Sequence, residues 1–314
     1  MNPDQNSGLT PDVRTVTLSV LTYERHEAVR RAVRSMVECA VPGPDASWSL
    51  LEVLVVDNNP DGSAGPVVAA LADEFDELVR HTHEPSPGIV AARNRALDEA
   101  KGDVLVFIDD DEVALPGWPN GLLSVMGRTG AAMVGGPVES EFASDAPRWA
   151  IDGGFFQKKT HPGGSKIPWT STANVAIDLE KIRAENLRFD DRYPHGEDVM
   201  FSRQVVKEGL GLRWSASAAV TELVSPDRTT LEWCRHRRRI STDAWVRADV
   251  ELDPSVKTRA VIVAKTAVRL AQGLVTLAVG QVRRDETAKA RGLVMVSHVQ
   301  GAIDGLVASR LSGR

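Results

Sequence analysis

Apolar runs of strand length alternate with helical patterns through the first 111 residues of this 314-residue chain, and that alternation leaves few folds open. Val16–Leu21, Leu51–Val56 and Val104–Ile108 are five or six residues long and built from Val, Leu, Ile and Phe with few polar members. That is the composition of strands covered on both faces. Leu78–His83 reads as a further short strand. Between these runs, His26–Cys39 places Ala28, Val29, Ala32, Val33, Met36 and Val37 on one helical face. A second helix is expected from about Pro66 to Glu74, and a third follows the Pro87-Gly88 loop. Repeated strand–helix–strand units imply right-handed crossovers and a mostly parallel sheet. The expected class is therefore α/β.

Ligands of such sheets lie beyond the carboxyl ends of the strands. There the fourth run passes directly into Asp109-Asp110-Asp111-Glu112. Adjacent carboxylates repel, so a dry site holds them ionised only with counter-charge. A divalent cation, Mg²⁺ or Mn²⁺, supplies such charge and prefers oxygen ligands. A solvated acidic loop explains the same run without a ligand. The second strand ends in Asp57-Asn58-Asn59-Pro60-Asp61-Gly62, a turn signal. No GxGxxG follows the first strand and no GxxxxGK[ST] occurs, so neither a dinucleotide fingerprint nor a P-loop is present.

Further along, Ala131–Val138 is expected as a strand. Residues 139–172 are irregular and carry Trp149, Phe155, Phe156 and Trp169, read either as a binding loop or as a small core of their own. Ser171–Ile177 and Leu212–Val220 are expected strands. Gly196-Glu197-Asp198 opens a helix that Gly209 closes. From Pro226 the pattern is helical, with a basic cluster at Arg235–Arg239. The expected organisation is a leader over 1–13, a main domain over 14–225 and a helical region over 226–314.

Composition removes several classes. A net charge of −6 argues against a nucleic-acid binder driven by phosphate contacts. Cys39 and Cys234 form no CxxC or Cys/His cluster, so a zinc site and a disulfide framework are not expected. The polar N-terminus shows no secretory signal. Leu270–Val282, the longest uncharged apolar stretch near the end, is too short to span a bilayer.

Taken in order, six motifs resemble the family-two glycosyltransferases with the GT-A fold. They are Thr22-Tyr23-Glu24-Arg25 after the first strand, Val55-Val56-Asp57-Asn58, Gly88 with Ala92-Arg93-Asn94, the Asp109–Asp111 run, Ala173-Asn174, and Gly196-Glu197-Asp198. They cover about residues 15–220. The resemblance implies transfer of a sugar from a nucleotide-diphosphate sugar to an acceptor hydroxyl, with inversion and with a divalent metal, Mn²⁺ or Mg²⁺. It implies nucleotide contacts from Thr22, Tyr23, Glu24, Asp57, Arg93, Asp109 and Asp110, and a metal ligand in Asp111. Asp198 would be the general base with Glu197 beside it. Asn174, His195 and Trp169 are candidates for sugar or acceptor contacts. The acceptor could be a sugar, a lipid-linked molecule or another small molecule, and nucleic acid is not an expected partner.

Many relatives place a metal-binding His after the last strand, where this chain has Glu222; Glu222 or His236 could stand in. His81 and His83 are read as structural. The helical tail, with Lys257, Arg259, Lys265 and Arg269, suits either packing on the main domain or peripheral contact with an anionic membrane. A cytoplasmic location, free or on the inner membrane face, is the expectation, and self-association stays open. The rivals are a non-catalytic nucleotide- or sugar-binding protein, and a glycoside hydrolase pairing Asp198 with Asp191 or Glu197.

Overall fold

The computed structural model describes residues 13–42 and 47–311; residues 1–12 of the expected leader lie outside the described residues. Strands β1 (Arg14–Thr22), β2 (Trp48–Asp57), β3 (Val79–His83) and β4 (Val104–Asp109) are parallel, linked by α1 (His26–Cys39), α2 (Gly65–Glu74) and α3 (Ile89–Glu99). The chain continues through β5 (Glu112–Ala114), α4 (Trp118–Thr129), β6 (Met133–Gly135), β7 (Val138–Phe142) and a short α5 (Arg148–Asp152). Then come β8 (Asn174–Asp178), α6 (Leu179–Ala184), α7 (Glu197–Lys207), β9 (Leu212–Trp214) and β10 (Val220–Val224).

The large sheet is ordered β3-β2-β1-β4-β8-β6-β9, and a small sheet is ordered β5-β10-β7. β8 runs antiparallel to both neighbours, so the large sheet is mixed but mostly parallel. Alternate residues of the central strands feed two cores, as the strand period requires. Val16, Leu18, Val20, Val53, Val55, Val104, Val106 and Ile108 face the layer of α1, α2 and α4. Leu54, Val56, Leu105 and Phe107 face the opposite layer, with Ala96, Ile182 and Phe201. Burying side chains of this size stabilises by roughly 1.5–3 kcal/mol each.

Two expected strands are each divided. Ala131–Val138 becomes β6 and the start of β7, and Leu212–Val220 becomes β9 and the start of β10. β6 pairs with β9 in the large sheet, and β7 pairs with β10 in the small one. Both runs therefore turn a corner together from one sheet to the other. Pro137, which has no N–H to give a ladder, stands at one corner.

A 3₁₀ turn over Pro226–Thr229 leads into α8 (Leu231–Leu252), α9 (Val256–Arg283) and α10 (Glu286–Leu311). The Thr230 hydroxyl caps α8 by accepting from the Trp233 N–H at 3.2 Å. α8 packs on α7, and α10 packs on both α8 and α9. Small residues permit that closeness: a Cβ on Gly292 would stand 2.7 Å from the Leu277 nitrogen of α9, and one on Gly301 would strike the Arg239 carbonyl of α8. Trp149, Phe155 and Phe156 pack with Trp233 and Cys234, so these loop aromatics form a small core that fastens 142–156 to α8.

α9 exceeds the expectation set by the run Leu270–Val282. It is 28 residues long, with a mean hydropathy of 1.5 over its most apolar 18-residue stretch and 11% of that stretch buried. By length and composition it could cross a membrane. Counting uncharged residues alone ends the run at Arg269 and Arg283, short of the helix's full length.

Candidate active site

The parallel strands β1, β2 and β4 release their chains on one edge of the sheet. A cleft of about 440 Å³ opens there, lined by Thr22, Tyr23, Arg25, Asn58, Gly88, Arg93 and Asp109–Asp111, among others. Its volume falls in the range of small-ligand sites. Gly88 can form the rim because its φ of 139° is open to glycine and strained for other residues.

The acidic run is held by cations from three parts of the chain. Asp110 is buried, accepts from the Thr22 hydroxyl at 3.3 Å and pairs with Arg25 at 2.9 Å. Burial, opposed by Arg25, pushes its carboxyl up to about 6. Asp111 pairs with Arg228 at 2.8 Å and with Arg25 at 3.6 Å, and burial with the neighbouring Asp109 raises its carboxyl. Asp109 stays 42% exposed, the most open side chain of the three. Glu112 is turned inward; it accepts the Asp109 N–H at 2.8 Å, and burial raises it far above the carboxylate range. Glu222 also pairs with Arg228, and with Lys158 at 3.1 Å. Burial opposes its ionisation, but Lys158 and Arg228 outweigh that and hold its carboxyl below the usual range.

Arg93 is 6% exposed and lies between two acidic elements. It forms an ion pair with Glu197 at the start of α7 and stands 3.9 Å from Asp109. Its guanidinium carbon is 5.7 Å from the Phe189 ring centroid. Burial pulls its pKa down against the fields of Asp109 and Asp198; a guanidinium keeps its proton in proteins. Glu197 is thereby consumed in holding Arg93. Asp198 remains partly exposed, with Oδ1 accepting the Val199 N–H at 2.7 Å. Its Oδ2 takes no hydrogen bond from the described residues.

Four candidates are placed differently from expectation. The Asp57 carboxylate is fully buried and accepts from the N–H groups of Asn59 at 3.1 Å and Ala64 at 2.7 Å. It braces the turn, and its neighbour Asn58 lines the cleft instead. Asn58 donates to the Glu84 and Ser86 carbonyls and accepts from the Gly88 N–H at 2.8 Å, pinning the rim loop. Glu24, at a φ of 57°, accepts from Asn59 and lies off the cleft lining. Asn174 is 1% exposed and fully used: it accepts from Trp118 and donates to the Pro137 and Ala218 carbonyls, which ties β8 to the corners of the small sheet. Trp169 packs edge-on to Trp245 of α8 at 4.4 Å.

His195 is exposed beside the start of α7; burial and the charges of Arg237 and His236 lower its pKa. His236 lies on α8 in a shallow groove with Arg235 and Arg239. Gly196, with a φ of 75°, admits α8 so closely that a Cβ there would collide with that of Ala244. Arg25, Arg228, Lys158 and Asn58 are site residues to which sequence reasoning assigns no individual role. Arg25 and Asn58 close two of the quoted motifs, whereas Arg228 and Lys158 arrive from distant loops and carry no local signal.

Among the described residues no group of three or more His, Cys, Asp or Glu side chains is arranged to hold a metal. The oxygen pair Asp109 and Asp111 does suit a hard cation that takes its other ligands from phosphate and water.

A family model described as glycosyl transferase family 2 matches residues 17–210. The succinoglycan biosynthesis protein ExoM of Rhizobium meliloti (strain 1021) is 32% identical over 227 residues, covering 71% of either chain. Among solved structures, the mannosyltransferase PcManGT from Pyrobaculum calidifontis, in complex with GDP-Man and Mn²⁺, superposes with a TM-score of 0.62 at 16% identity, covering 93% of this chain and 86% of that one. S. aureus TarS 1-349 in complex with UDP gives 0.50 at 15% identity, covering 96% and 92%. The fold is that of the GT-A enzymes, and this chain belongs to glycosyl transferase family 2, enzymes that transfer a sugar from a nucleotide sugar.

Proposed function

We propose that the chain catalyses an inverting, single-displacement transfer from a nucleotide-diphosphate sugar to an acceptor hydroxyl, with Asp198 as the base. The observation that carries this reading is the pairing of an occupied Glu197 with a free Asp198. Glu197 is neutralised by Arg93, so one carboxylate is left at the helix start with an oxygen, Oδ2, available for the acceptor proton. A carboxylate within hydrogen-bond reach of the attacking hydroxyl can accept its proton in the transition state. With Glu197 occupied, Asp198 has no free carboxylate beside it in the first turn of α7, which favours a single displacement over a covalent intermediate.

The donor would lie along the cleft, its nucleoside against Thr22, Tyr23 and Asn58 and its diphosphate near Arg25 and Arg93. Asp111, with Asp109 beside it, would hold a divalent cation, and the ion when bound offsets charge on the leaving diphosphate. Arg93 acts on both sides: it fixes Glu197, and it sets positive charge between the donor side and the base. His195 and the Trp169–Trp245 pair flank the acceptor side.

A thermal-shift panel of UDP, GDP, dTDP and CDP, each with and without Mn²⁺, tests the reading. One nucleotide should stabilise the wild type by mass action, more strongly with metal, and Asp111→Ala should erase the metal-dependent part. Asp198→Asn should keep that shift while kcat falls by a factor of roughly 10²–10⁴. Turnover that survives Asp198→Asn would remove the base assignment. No shift with any nucleotide would remove the donor assignment.

A further inference from the structure

We infer that α9 is the pairing element of a homodimer, in which two copies of this chain join along one face of that helix. Val261, Val268, Val275 and Val282 recur every seven residues, and Ala264, Ala271 and Ala278 stand three residues after the first three of them. This is a 3-4 repeat held over three heptads, with a β-branched residue at one seam position and a small one at the other. The four valines are 42%, 58%, 63% and 85% exposed, and the three alanines are exposed as well. The seam lies opposite the stripe of Ile262, Gly273 and Gly280 that α9 buries against α10. Its outward direction is thus fixed by packing that already exists.

The pattern selects the occupant. A lipid surface selects apolarity and is indifferent to which apolar residue falls at which position. A second helix is not indifferent, because knobs-into-holes packing needs the 3-4 spacing, and β-branched residues at the first seam position favour two strands. Small residues at the other position let the helices approach closely. Between Val261 and Val282 no charge interrupts the seam; Lys265, Arg269 and Arg283 lie off it, and Lys257 takes the alanine position one heptad before it.

The area also fits. The seam is roughly 30 Å long and 10 Å wide, or about 300 Å² in plan per copy. Side-chain relief and the exposed flanking residues Leu274 and Val279 extend it. That brings it toward the roughly 600 Å² per partner at the lower end of specific interfaces. A free patch of such size is at the upper limit for a monomer.

Sedimentation equilibrium of the full chain over a wide concentration range should give twice the chain mass. Val268→Glu combined with Val275→Glu should give the monomer mass with unchanged far-UV circular dichroism. Ala271→Cys, at the middle of the seam, should form an interchain disulfide on mild oxidation, whereas the parent chain with Cys39 and Cys234 should not. Flotation with phosphatidylcholine vesicles, with and without phosphatidylglycerol, completes the test. A monomer at every concentration overturns the proposal. So does a monomer that floats with vesicles and loses flotation in the double variant, which would assign the face to lipid. None of these outcomes depends on the donor or the base.

Discussion

Arg228 does at residue scale what the acidic run alone cannot. It bridges Asp111 and Glu222, two carboxylates that would otherwise lie near each other with less counter-charge. Its side chain is 18% exposed and lies over the Trp233 ring at 4.8 Å, so removing it leaves partly buried anions short of a partner. Breaking a buried pair by deleting one member typically costs about 3–5 kcal/mol. Arg228→Met should therefore lower unfolding free energy by roughly 3 kcal/mol in a denaturant titration. It should also gain more from Mn²⁺ than the wild type does, because the ion replaces charge at Asp111. Equal metal-induced shifts in the two proteins would show that Asp111 does not take the ion.

The need for counter-charge beside three aspartates was legible in the sequence, but its source was not. The electrostatic requirement is local, whereas Arg228 is 117 positions away from Asp111 in the chain. The same holds for Glu197, whose partner Arg93 lies 104 positions away. Asp57 misled for a different reason. A carboxylate at a strand end reads the same whether it meets a ligand or caps its own turn, and the choice is made by backbone N–H groups that only the folded turn presents.

Among the elements, α10 carries the clearest pH sensitivity. His298 lies between α8 and α9, with Nδ1 3.1 Å from the Thr242 hydroxyl. Burial, with Arg269 and Arg238 nearby, lowers its pKa to about 4. The folded state therefore holds His298 neutral while the unfolded chain would take a proton below about 6.5. Its contribution to stability is present above that value and is lost as pH falls from 6.5 toward 4. Allowing for partial exposure, the wild type should lose on the order of 1 kcal/mol more than His298→Gln between pH 7 and pH 5, read from thermal melts. Element placement was the most legible part of the sequence. β1, α1, β2 and β4 lie close to the apolar runs that announced them, since a doubly covered strand writes its burial directly into composition. The corners β6–β7 and β9–β10 were not legible, because each run resumes its apolar residues directly after the corner, at Val138 and at Ala218–Val220.

For the molecule as a whole, the border expected at residue 225 divides side chains that pack together. Tyr193 and Met200 of the main domain share a core with Ala248. The Tyr193 hydroxyl donates to Glu251 at 2.6 Å, and Arg203 pairs with Asp249. A chain ended at residue 225 would expose these groups together with Val224, Phe142 and Phe156. It should give little soluble protein and no cooperative thermal transition. A truncated chain that melts like the full one would support a border there. The contact of Gly196 with Ala244 carries a practical consequence for engineering. The turn bearing the proposed base has no room for a methyl group against α8, so the two cannot be varied one at a time. Anyone grafting acceptor preference from a relative would have to move residues 190–207 and α8 as one cassette, with the small residues at both positions kept.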